Sequence, residues 1–290
     1  MRASLTLAAA LGDWKGAAIR ASNLSDLHVI LGDLTQAADL AGQSVELADR
    51  SGDAAWRTIS RTALAYALHQ SGLAKAKSLF RQAEQMQNEL QPECPLLYSV
   101  QGFQYCDLLL GECEALDHEE AVTRCQEVRQ RAAQTLDWWE SVFVNASLLT
   151  LALDHLTLGR AFLLEAVLDG QATALLSEAK GHLDRAVTGL RQAGAQEFIA
   201  RGLIARAQLR RVQKRFQDAQ QDLDEADRIA SRGPMRLFQA DIHLERARLH
   251  QGNPGQSREH LAQAKAIIEE TGYLRRDSEV KALEGQLASR

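Results

Sequence analysis

The chain has 290 residues, among them 46 Ala and 44 Leu but only 11 Val and 9 Ile. Ala and Leu favour helices, whereas β-branched residues fill the pleated faces of sheets, so dinucleotide-binding sheets, α/β barrels and sandwiches are removed at the outset. A net charge of −5 with a pI near 5.9 argues against a general nucleic-acid binder, and 46% apolar with 24% charged residues describe an ordinary globular chain.

In chain order, the opening MRASLTLAAALGDW carries one basic residue and an apolar stretch too short for the core of a secretory signal. It reads as the last part of a helix packing under the first repeat. Ser22 to Asp53 then reads as helix, tight turn at Gly32-Asp33, second helix, and a stop at Gly52-Asp53. Leu24 and Ser25 set a large and a small residue side by side on the first helix. Ala37, Ala41 and Ser44 place small residues on the second, as two closely approaching antiparallel helices require.

The pattern returns. Leu64-Ala65 precede Gly72, followed by Ala76, Phe80 and Ala83, and Pro92 and Pro95 close this second unit. A third unit carries extra residues around Gly111–Glu120, with Val128 at its small position. The fourth has Leu158-Gly159 and then Ala179, Leu183 and Ala186. The fifth has Ala207, a turn at Lys214-Arg215, then Ala219, Leu223 and Ala226, with Pro234 after it. The sixth has Ala247, a turn at Gly252-Asn253 with Pro254, then Leu261 and Ala264. An amphipathic helix near 277–289, with Glu279, Lys281 and Glu284 on its charged face, suits a terminal cap.

From Ser44 through Ala83, Val128, Ala186 and Ala226 to Ala264 the intervals are 39, 45, 58, 40 and 38 residues. The expected architecture is therefore all-α: a single solenoid over 1–290 of about six helical hairpins plus the C-terminal capping helix. Its regular repeats run over about 14–92 and 196–272, with irregular, inserted repeats over about 93–195.

These units resemble tetratricopeptide repeats (TPR): paired helices, a large–small pair on the first, small residues seven apart on the second, and Gly-Asp at the turn. The resemblance implies a right-handed superhelix whose first helices line a concave groove. LGDLTQAADLAGQSVELADRSGD, PLLYSVQGFQYCDLLL, LDHLTLGRA and HLAQAKAIIEETGYLRRDSEV are similar to the C-terminal repeat regions of bacterial multidomain proteins. Those proteins carry a signal-transduction NTPase, a TIR domain or a related effector upstream. This likeness implies a sensor or scaffold in bacterial signalling or defence, and an NTPase or effector domain in a longer relative. The sequence itself holds no GxxxxGK[ST] loop.

No catalytic constellation emerges, and no enzyme, cofactor or metal site is expected. Cys94, Cys106, Cys113 and Cys125 contain no CxxC pair and read as buried thiols of a reducing cytoplasm. Asp154 and His155 diverge by about 100° on a helix, which rules out a direct dyad. His243 and His250 share a face, seven residues apart.

What remains is a surface. The candidate partner-binding residues on first helices are Asn23, Arg61, Gln101, Gln104, Asn145, Arg206, Arg210 and Arg248. Arg206 and Arg210, four apart, either clamp a partner carboxylate or pair internally with acids such as Asp241 and Glu245. Tyr98, Phe103 and Tyr105 are partner anchors or core. Residues 196–290 hold 17 Lys/Arg against 14 Asp/Glu, which fits an acidic partner or solvated helix faces. The leading function is a non-catalytic scaffold or sensor binding a peptide or protein, with no nucleic-acid or membrane partner. The alternative is a small-molecule or peptide-ligand sensor whose pocket is walled by the irregular centre, Gly111–Glu120 and Gly170–Glu178.

Overall fold

The computed structural model describes residues 2–141 and 147–289, and these are all-α, with no strand among them. The first five helices are α1 (Arg2–Ala10), α2 (Trp14–Leu31), α3 (Leu34–Ser51), α4 (Ala54–Gln70) and α5 (Lys75–Leu90). After them come α6 (Ser99–Gly111), α7 (His118–Ser141), α8 (Leu148–Leu168), α9 (Thr173–Ala193) and α10 (Gln196–Val212). The last four are α11 (Phe216–Arg232), α12 (Arg236–Leu249), α13 (Pro254–Thr271) and α14 (Asp277–Ala288). Short 3-10 turns occupy Glu112–Ala115 and Leu274–Arg276. The chain forms two compact units, Met1–Leu97 with Ile268–Asp277, and Tyr98–Ile267 with Ser278–Arg290.

Helix boundaries follow from the chemistry of the turns. Gly32 and Gly52 end α2 and α3 in the left-handed region at φ 84° and 70°, which costs a residue without Cβ little. Asp33 and Asp53 then cap the next helices, accepting from the backbone N–H of Gln36 and Trp56 at 3.2 and 2.9 Å. Each Gly-Asp pair thus stops one helix and starts another.

The helices pair as hairpins: α2 with α3 and α4 with α5 in the first unit, α8 with α9 and α10 with α11 in the second. At the marked small positions Ser44, Ala83, Val128, Ala186, Ala226 and Ala264 are all 0% exposed. Where the small residue is a serine its hydroxyl is satisfied by the facing backbone. Ser44 donates to Ala18 O at 2.9 Å, Ser25 to Ala37 O at 2.8 Å and Ser257 to Ala247 O at 2.8 Å. Fully apolar partners such as Phe80, Leu183 and Leu223, also 0% exposed, fill the layer between crossings.

The irregular centre has a simple cause. The additional residues largely lengthen helices: α7 runs 24 residues and α8 and α9 run 21 each, against 16 to 18 in α2 through α5. Within the first unit, Arg275 lies 2.8 Å from His69 Nε2 and 3.3 Å from Gln70 Oε1, fixing the 3-10 turn to α4.

Two glycines separate packing from propensity. A Cβ on Gly159 would sit 2.6 Å from Leu183 Cγ, whereas one on Gly181, in the interior of α9, would meet nothing within 4 Å. Denaturant unfolding should show Gly159→Ala destabilised by about 1–3 kcal/mol through overpacking. Gly181→Ala should gain about 0.5–1 kcal/mol from helix propensity.

Candidate functional site

In the second unit the first helices α6, α8, α10 and α12 pack in succession. They carry a buried ionic and aromatic ladder. Asp107 on α6 is 0% exposed and accepts from Arg160 Nη2 of α8 at 2.7 Å, with Arg201 Nη1 of α10 at 3.5 Å. A carboxylate buried this deeply requires such cationic partners to offset its lost hydration. The guanidiniums of Arg160 and Arg201 lie 5.8 and 5.5 Å from the Phe103 ring centroid, and Arg201 lies 5.0 Å from that of Phe238 on α12. Phe103 also meets Phe198 edge to face at 5.8 Å. Further along, Arg211 donates to Glu245 at 2.5 Å and Arg248 bridges Glu245 and Glu279.

The residues singled out in the sequence fall in several places. Asn23 is exposed on α2, and Arg61 on α4 is buried, donating to Asp49 at 2.9 Å. That bond is the main reason the Asp49 carboxyl is held below its usual pKa. Gln101 is half-buried and Gln104 buried on α6, while Asn145 lies outside the described residues. Arg206 makes a two-pronged contact with Asp222 at 2.8 and 3.0 Å, and Arg210 reaches the same carboxylate at 2.6 Å. Both are thus brought together on an acid of their own hairpin, and Arg206 also approaches Asp184 at 3.4 Å. Phe103 and Tyr105 are buried in the core, and Tyr98 packs edge-on against Trp139. Asp107, Arg160 and Arg201 escaped the sequence reading. Their signal was a lone charge in an apolar run, as in YCDLLL and LGRAFLL.

Two histidine pairs occupy equivalent places in two hairpins. His155 Nδ1 lies 3.0 Å from His182 Nδ1 across α8 and α9, and His243 Nδ1 lies 3.2 Å from His260 Nδ1 across α12 and α13. In both, the first histidine stands four residues before Gly159 or Ala247 and the second four before Ala186 or Ala264. His250, read in the sequence as sharing a face with His243, stacks on His260 at 5.6 Å. Burial pushes His155 and His243 down to about 4, so each is neutral at pH 7. Among the described residues no three His, Cys, Asp or Glu side chains are arranged to hold a metal ion. All four cysteines are buried.

An open cleft of about 420 Å³ runs between α8 and α9, lined by Leu148, Leu151, Ala152 and His155 on one side and by Asp184, Arg185, Thr188, Gly189 and Gln192 on the other. Neither Gly111–Glu120 nor Gly170–Glu178 contributes a lining residue.

No family model matches the chain, and no curated protein sequence matches it. Among solved structures it is similar to a Rap protein in complex with competence and sporulation factor, with a TM-score of 0.50 at 12% identity, over 88% of this chain and 71% of that one. The likeness is one of fold, a TPR-like array of helical repeats. No described helix is long and apolar enough to cross a membrane.

Asp154 on α8 gives the second unit a pH signature. Its Oδ1 accepts from Thr135 at 2.9 Å, its buried Oδ2 has no partner, and burial pushes its pKa up from 3.8 to about 7. The folded chain therefore binds this proton more tightly than the unfolded chain, and stability falls as pH rises from about 4 to 7. Unfolding measured across pH should show Asp154→Asn gaining on the wild type with rising pH, by roughly 2–4 kcal/mol at pH 8. The histidine pairs act in the opposite sense. Their depressed pKa values make the stability present above about pH 6.5 fall away toward pH 4, a loss that His155→Gln with His243→Gln should reduce.

Proposed function

We propose that the protein is a non-catalytic interaction scaffold or sensor that binds a peptide or protein partner along the first-helix face of its second unit. The observation that carries this reading is the pair of half-buried guanidiniums, Arg160 and Arg201, that successive first helices hold in place over the buried side chains of Phe103, Asp107 and Phe238. Aromatic and arginine side chains dominate the energetics of polypeptide recognition. Gln101, Gln104 and Arg248 belong to this proposed face. Arg206 and Arg210 brace it through Asp222, and Asn23 and Arg61 are candidate partner contacts of the first unit taken by itself. The similar Rap protein was solved with competence and sporulation factor, which supports a binding role for a fold of this kind. The repeat strings support a bacterial signalling or defence setting, and four buried cysteines without a CxxC pair suit a reducing cytoplasm.

Gln208 lies seven residues after Arg201 and so on the same stripe of α10, whereas Gln221 is exposed on α11. A photo-crosslinking residue at 208 should capture a discrete partner in the native cell, and one at 221 should not. Arg201→Lys keeps a charge beside Asp107 but loses the planar contact with Phe238, and should lower capture at least about threefold. Equal capture from both positions, or none from 208, would contradict the reading.

A further inference from the structure

The cleft between α8 and α9 is a separate surface. At 100° per residue, His155 and Leu151 lie about 140° and 180° around α8 from Arg160, away from the first-helix ladder. Its floor is apolar, made by Leu148, Leu151, Ala152 and Gly189, and Leu148 is left 50% exposed. A Cβ on Gly189 would meet that of Ala152 at 2.9 Å, so the glycine lets the two helices close beneath the cleft.

The polar wall carries one acid and one cation, Asp184 and Arg185, of which only Arg185 lacks an ion pair among the described residues. Asp184 is held by Lys180 at 2.8 Å and by Arg206 at 3.4 Å, and Asp222 by Arg206 and Arg210 at 2.8 and 2.6 Å. Lys180, Arg206 and Arg210 lie outside the lining and are taken up by these two carboxylates, which leaves Arg185, exposed and without an ion pair among the described residues, as the free charge of the wall. Glu178 lies seven residues before Arg185 on α9, about 10 Å away and outside the lining. The positive end of α8, which starts at Leu148, stands at the same mouth.

We propose that this cleft docks an amphipathic helix of a partner protein, with aliphatic side chains on the floor and acidic side chains against Arg185. Arg185, Thr188 and Gln192 follow one another at three and four residues, the period at which a docked helix presents its own edge. An extended segment finds no sheet edge here to pair with, because both walls are helices. A small molecule would leave much of its surface wet in a trough open along its length.

The test uses the full chain and two fluorescein-labelled helical peptides with leucines at i, i+3, i+4 and i+7, one flanked by glutamates and one by lysines. Anisotropy titration should give the Leu/Glu peptide at least about tenfold tighter binding than the Leu/Lys peptide. Arg185→Glu, at an exposed side chain whose loss leaves the unfolding transition in place, should reverse that preference. Leu151→Asp should abolish binding of both peptides, and Arg201→Lys should leave both titrations unchanged. Equal affinity for the two peptides, no binding of either, or a loss seen only in Arg201→Lys would overturn the proposal. The last result would place the peptide on the first-helix face instead.

Discussion

The close crossing of two helices at a small side chain is the constraint on which the structure depends. At the regular crossings of a first and a second helix the residue is alanine or serine, and each is 0% exposed. The 2.6 Å approach of a Gly159 Cβ to Leu183 illustrates how tight such contacts become. Once the helices are that close, the space between crossings takes aliphatic and aromatic residues such as Phe80, Leu183 and Leu223 at full burial. The high Ala and Leu content is the composition-level trace of this arrangement. So is the 38–40-residue spacing of the regular hairpins.

Close packing leaves little water to solvate charges, so polar groups inside the second unit are held in specific partnerships. Asp107 is shared by two arginines from successive helices, Glu245 by two more, and Asp222 by Arg206 and Arg210. Such pairs add little net stability over an apolar core, but removing one partner leaves an uncompensated charge and is costly. The Asp107 and Glu245 pairs tie successive hairpins together with defined geometry, and the Asp222 pairs tie α10 to α11 within one hairpin. The buried rings of Phe103 and Phe238 beside Arg160 and Arg201 hold those guanidiniums in place. Asp154 differs from these carboxylates, since its buried Oδ2 finds no partner among the described residues and burial raises its pKa to about 7.

Much of this fold was legible in the sequence because its rules are local. Turns at Gly32-Asp33 and Gly52-Asp53 need a left-handed residue followed by a capping carboxylate, and both requirements can be read two residues at a time. The six small positions were likewise visible as a period, and all six are fully buried. The site was less legible because it depends on contacts between helices far apart in sequence. Arg206 and Arg210 were marked correctly as a same-face pair, yet their shared carboxylate, Asp222, depends on how α10 turns against α11. Asp107 and Arg160 are 53 residues apart, and His155 meets His182 rather than its sequence neighbour Asp154. The long spacing of the fourth unit was visible, but not that much of it would become extra turns of α7, α8 and α9.

That the regular hairpin crossings tolerate only small residues is the central claim. Its most direct test is equilibrium denaturant unfolding of single leucine substitutions at Ser44, Ala83, Ala226 and Ala264. Leucine at exposed positions of the same second helices serves as control. Each crossing variant is expected to lose about 1–3 kcal/mol or more, with controls within about 0.5 kcal/mol of the wild type. Crossing variants as stable as their controls would contradict the claim.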